Sequence, residues 1–184
     1  MVFLRRFLLV CGFGLPLFCW GGTVGGLSPK RAQVVAALQH EIGVMESGYN
    51  AGPRVNQYLR ATGNRPGEYW CGAFIGFIYR LCGLPIPAGA GAARSWFPAA
   101  SPQTFFIKGS RGNIDAAQPG DLLALYYVNL GRIGHILALE KQLDNAVITI
   151  EGNTGPDGGR NGDGVYRKRR MKRGIYAAAN RIGL

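Results

Sequence analysis

Apolar positions recur at helical spacing in the first half of this chain and at strand spacing in the second. Val34, Val35, Leu38, Ile42 and Met45 follow Ser28-Pro29, a serine suited to an N-cap and a proline suited to the first helical turn. They predict a first helix running to about Glu46, broken by the turn-rich residues 47–53. A short helix is expected over Val55–Ala61, followed by a loop at 62–67. From 71 to 82 the run Phe74, Ile75, Phe77, Ile78 and Leu81 is strongly apolar, and only Tyr79 and Arg80 suggest a wetter side. That helix should be the most buried element, and Gly83-Leu84-Pro85 ends it.

Residues 85–120 are rich in Ala, Gly, Ser and Pro, with one short helix expected near 92–97. After Pro119-Gly120-Asp121 the period changes to that of strands, over 122–128, 133–139, 146–150, 165–169 and 176–180. Helices first and strands second predict an α+β domain, with N-terminal helices packed on a C-terminal antiparallel sheet of about five strands. The length of 184 residues suits one domain with a real core.

Residues 1–26 stand apart from that domain. Arg5 and Arg6 precede an apolar stretch over 7–20, and Gly21, Gly22, Gly25 and Gly26 follow it. Basic, then apolar, then small is the layout of a secretory signal peptide, which makes 27–184 the mature domain and places it in the periplasm or outside the cell. An uncleaved membrane anchor is the alternative, though the stretch is short of the about 20 residues a spanning helix needs. Loss of Arg5 and Arg6 takes the formal charge from +11 to +9. So basic an exported domain suits anionic cell-wall polymers or lipid headgroups as partners. Its densest run, residues 167–173, reads as a solvated strand end and turn. Export and the lack of a recognisable binding motif argue against nucleic acid. A monomer is expected.

Cys71 and Cys82 remain in the mature domain. Eleven residues apart on one helix, they are separated by roughly 16 Å, well beyond the reach of a disulfide. Cys71 is therefore expected to be a free thiol, and Cys82 a small core residue. A thiol at a helix start is well placed for nucleophilic chemistry, because unpaired N–H groups and the positive helix end stabilise its thiolate. Of the two histidines, His40 falls on the first amphipathic helix and reads as solvated or structural. His135 opens a strand after Gly134 and is the candidate base. Glu151 closes the next strand, where a hairpin can bring it to the imidazole as an orienting acceptor. Asn153, two residues on, is a second candidate to orient the ring or bind substrate.

Zinc needs more ligands than the Cys and His spacings supply. Asp157, Asn161 and Asp163 suggest calcium, but Lys168 stands where the loop needs its bidentate glutamate, so a plain hairpin loop is the better reading. No metal or cofactor is expected. Trp70, Trp96 and Tyr126 are candidates for a substrate groove, with buried packing the alternative for each.

Taken together, Trp70-Cys71-Gly72-Ala73-Phe74, Pro119-Gly120-Asp121, Gly134-His135-Ile136 and Ile150-Glu151-Gly152-Asn153 resemble the CHAP amidohydrolase/peptidases, within the papain-like cysteine peptidases. Asn50-Ala51-Gly52-Pro53-Arg54-Val55 and Gly162-Asp163-Gly164-Val165-Tyr166 extend the resemblance over about residues 30–182. It implies a papain-like fold with Cys71 as nucleophile, His135 as base, and Glu151 and Asn153 as orienting residues. It also implies cleavage of amide bonds in peptidoglycan peptide stems, by an N-acetylmuramoyl-L-alanine amidase or a cross-bridge endopeptidase. A non-catalytic wall-binding domain of the same fold, and a secreted antibacterial toxin with the same chemistry, are the rival readings.

Overall fold

The computed structural model describes residues 26–159 and 161–183. The expected export segment, residues 1–26, lies outside them except for Gly26. Among the described residues no helix is long and apolar enough to cross a membrane.

The described chain is an α+β fold. Helices α1 (Pro29–His40), α2 (Val55–Ala61) and α3 (Cys71–Leu81) precede strands β1 (Thr104–Ile107), β2 (Leu122–Tyr127), β3 (Arg132–Gln142), β4 (Ala146–Thr154), β5 (Gly164–Met171) and β6 (Ala177–Ala179). The sheet order is β1-β6-β2-β3-β4-β5, antiparallel throughout. It has six strands where about five were expected. The extra strand, β1, is four residues long and pairs only with β6 at the sheet edge, too short to print a period of two in its sequence.

Helix α1 starts as the sequence predicts, with Ser28 Oγ accepting from the Arg31 N–H and Pro29 in the first turn. It stops at His40, six residues before the expected Glu46. Glu41 turns inward to meet Arg54 and Tyr58, and Gly43 takes a φ of +91°. The backbone from Gly43 to Glu46 then bonds to Asp163 and Val165 beside β5. Tertiary pairing thus outweighs a helical pattern that continues to Met45.

Helix α3 is the buried spine. Phe74, Ile75 and Ile78 lie in the core between the helices and the sheet, and the helix packs on β3 and β4. Tyr79, expected on the wetter side, is buried with its ring at 72° to Trp96. Leu81 is exposed instead. Leu123, Leu137, Leu139 and Val147 form a second apolar cluster, with Phe105 and Phe106 packed against it. The Pro119-Gly120-Asp121 motif is structural: the buried Asp121 carboxylate pairs with Arg31 at 2.8 Å, tying α1 to the start of β2.

Gly72 lets the N-terminal end of α3 touch the backbone of residues 90–91. A Cβ there would stand 2.4 Å from the Gly91 carbonyl oxygen. Gly72→Ala should cost about 3 kcal/mol, the upper range for overpacking, because the obstacle is backbone. Urea titration of the two proteins measures it.

Candidate active site

Three elements bring Cys71, His135 and Glu151 together. Cys71 is the first residue of α3, His135 lies near the start of β3, and Glu151 lies on β4 beside it. All three are buried. The Cys71 edge nevertheless opens on a cavity of about 470 Å³, whose walls are Asn64 and residues 67–69 on one side and 91–94 with Arg132 and Gly134 on the other. Among the described residues the cysteines are Cys71 and Cys82, both free, and Cys82 is packed in the core.

His135 Nε2 lies 3.0 Å from Glu151 Oε2. An ionised carboxylate only accepts, so Nε2 carries the proton of that bond. Nδ1 is buried and closes no well-formed hydrogen bond, leaving it to interact with the Cys71 thiol. Burial opposes charge on all three groups, and their mutual interactions overcome it. Burial disfavours the Cys71 thiolate, but the His135 ring and the backbone N–H groups of Ile136 and Gly72 outweigh it, bringing the thiol pKa down. Burial likewise lowers the His135 pKa, yet Cys71 and Glu151 raise it to about 9. Glu151 is held at about 2, because Arg170 and His135 offset its desolvation. The two shifts, down for the thiol and up for the ring, favour a thiolate beside an imidazolium.

Cys71 should therefore alkylate with iodoacetamide at about pH 6, where an ordinary thiol is protonated. Burial raises the pKa of Cys82, which should stay unlabelled while the fold holds. Mass spectrometry of the two cysteine peptides across pH measures both.

Arg170 is a further member, one that its sequence pattern does not single out from the basic residues around it. It grips Glu151 with both ends of its guanidinium, Nε to Oε1 at 2.8 Å and Nη2 to Oε2 at 2.6 Å, and Nη2 also donates to the Gly158 carbonyl. Thr149 Oγ1 donates to Glu151 Oε1 at 2.6 Å. A carboxylate this buried needs a cation, and β5, hydrogen-bonded alongside β4, was the place to look for one. The basic run is thus not simply a solvated strand end. Arg167 pairs with Glu140, Lys172 pairs with Asp115, and Lys168 donates to the carbonyls of Gly155 and Pro156. Arg170→Gln should lower kcat about tenfold with little change in KM, since it loosens the group that aims the imidazole rather than a substrate contact. Arg170→Lys should recover only part, because an ammonium cannot supply the two-pronged grip. Steady-state kinetics separates the two parameters.

Asn153 is buried on β4 at a bulge, with a φ of +57°. Its side chain does not reach the imidazole. Oδ1 accepts from the Trp70 N–H at 3.0 Å, and Nδ2 donates to Asn50 Oδ1 at 2.9 Å and to the Gly162 carbonyl at 3.0 Å. Glu46 completes this network by accepting from the Trp70 indole at 2.7 Å and the Asn50 N–H at 2.9 Å. Asn153 thus fixes the turn just before Cys71. His40 is exposed at the end of α1. Trp70 and Trp96 are core residues, and Tyr126 is 40 % exposed. Among the described residues no three His, Cys, Asp or Glu side chains group to hold a metal ion.

No protein-family model matches this chain, and no curated protein does. Among solved structures it is similar to Ly7917 with the hydrolyzing product of MDP, at 14% identity and a TM-score of 0.39, over 83% of this chain and 63% of that one. A second structure of Ly7917 matches at 12% identity and a TM-score of 0.39, over 82% and 62% of the two chains. The chain therefore spans less than two thirds of the structures it resembles.

Proposed function

We propose that this protein is an exported cysteine hydrolase that cleaves amide bonds in peptidoglycan, either as an N-acetylmuramoyl-L-alanine amidase or as a cross-bridge endopeptidase. The observation that carries the reading is the meeting of Cys71, His135 and Glu151 at the edge of a cavity, with charge shifts that favour an ion pair. The substrate class comes from the CHAP-like motifs, and the net positive charge suits an anionic wall.

In this mechanism the Cys71 thiolate attacks the amide carbonyl carbon. The backbone N–H of Cys71, in the first turn of α3, donates to the developing oxyanion. Imidazolium His135 gives its Nδ1 proton to the departing amine as the carbon–nitrogen bond breaks, leaving a thioester. The neutral imidazole then takes a proton from water, whose oxygen attacks the thioester. Collapse releases the acid and restores the ion pair. Glu151 holds the ring in register throughout.

The test is digestion of purified peptidoglycan by the protein residues 27–184, with new termini read by mass spectrometry and an iodoacetamide-blocked sample alongside. Fragments with fresh peptide or amine ends, absent after blocking, support the reading. Sedimentation with the wall and no cleavage would favour a binding domain of this fold.

A further inference from the structure

A second groove, of about 450 Å³, runs beside the cavity of Cys71 and is lined by Arg94, Phe97, Lys108, Tyr126, Ile133 and Tyr176. The two spaces adjoin. Arg94 lines both, and Ile133 of the groove sits in β3 between Arg132 and Gly134 of the cavity. Tyr126 and Tyr176 pack with centroids 4.8 Å apart and planes at 34°, giving the groove a broad aromatic surface. Among the described residues neither tyrosine hydroxyl has a hydrogen-bond partner, and Arg94 makes no ion pair. Lys108 donates to the Arg173 carbonyl, and no carboxylate lines the groove.

An aromatic face with free hydroxyls at its rim suits a ligand whose faces are apolar C–H surfaces and whose edges are hydroxyl and amide groups. A pyranose ring bearing an acetamido group has that character. A bare peptide stem would leave the stacked rings uncovered. From the junction at Arg94, we infer that the groove of Tyr126 and Tyr176 binds the N-acetylated sugar of the substrate while the peptide enters the cavity of Cys71. This rests on the peptidoglycan reading and sharpens it, because the amide next to the sugar is then the one presented to the thiolate. Arg94, at the junction, is placed to donate to carbonyl oxygens on either side of that amide.

The experiment compares N-acetylmuramoyl-peptide with the matching N-lactoyl-peptide, which keeps the same amide and lacks the sugar. The unsubstituted protein should favour the sugar-bearing substrate about tenfold or more in kcat/KM, the scale of one good stacking contact. Tyr126→Ala should erase that preference by bringing the rate on the sugar-bearing substrate down to that on the lactoyl-peptide, whereas Tyr126→Phe, which keeps the ring, should retain most of it. Equal rates on both substrates before substitution, or a uniform loss in Tyr126→Ala, would overturn the assignment. So would cleavage confined to cross-bridges and indifferent to the sugar. If no peptidoglycan bond is cut at all, the hydrolase reading fails separately. The groove is then judged by titrating N-acetylmuramoyl-peptide into Cys71→Ala and following the tyrosine ring resonances by NMR. Shifts at Tyr126 and Tyr176 keep the sugar site, and their absence removes it.

Discussion

Cys71→Ala is expected to reduce peptidoglycan hydrolysis about 10⁴-fold or more, to the background set by binding alone. No other group in the cavity is placed to replace the thiolate. The substitution should fold normally: it removes one sulfur from a residue already at the cavity edge, at a cost of about 1 kcal/mol. His135→Ala should match that loss within about tenfold, since an unpaired thiol reverts towards its ordinary pKa and the leaving amine has no proton donor. The double variant should be no worse than Cys71→Ala, because the two act as one unit. Release of soluble fragments, normalised to folded protein by circular dichroism, measures all three. Full activity in Cys71→Ala would remove the sulfur from the chemistry and the reading with it.

That constellation was legible in the sequence because Cys71 sits at an element boundary and the other two fall on consecutive strand-like runs, although β4 continues to Thr154 and so holds Glu151 inside the strand rather than at its end. Cys71 opens the most apolar helix, His135 follows the glycine near the start of β3, and Glu151 lies on the next strand. Adjacent antiparallel strands converge by default, so the His135–Glu151 pair needed no long-range information. Arg170 did. Its partner is selected by the sheet order, and in the sequence it is one basic residue among several on β5. Asn153 illustrates the opposite problem. Its place beside Glu151 suggested a second contact to the ring, but the bulge and a positive φ send its side chain to Trp70, Asn50 and Gly162. A bulge reverses the direction of a side chain without leaving a mark in the residue pattern. The early end of α1 has a similar cause, since the pull of β5 on residues 43–46 is invisible to local periodicity.

Glu151→Gln should produce the other large effect. The carboxylate uses both oxygens: Oε1 accepts from Arg170 Nε and Thr149, and Oε2 accepts from Arg170 Nη2 and His135 Nε2. An amide keeps one of those acceptors and turns the other into a donor. If its oxygen takes the Oε2 position, its NH₂ faces the Arg170 Nε–H; the reverse placement opposes it to the imidazole Nε2–H as well. Either way Arg170 loses its counter-charge inside the fold, which should cost about 3 kcal/mol, as for breaking a buried ion pair on one side. The chemistry suffers through the ring. Without the carboxylate the imidazolium is less favoured, so the His135 pKa falls from about 9. The proton needed by the leaving amine is then lost at lower pH, and the basic limb of the pH–rate profile moves down. With the ring also free to turn, kcat/KM should drop about 10²–10⁴-fold. Glu151→Asp keeps the charge but shortens the reach, so it should restore the basic limb more fully than the rate. A full pH profile of the three proteins separates charge from position. An unmoved basic limb in Glu151→Gln would mean that the imidazole does not draw its proton affinity from this carboxylate.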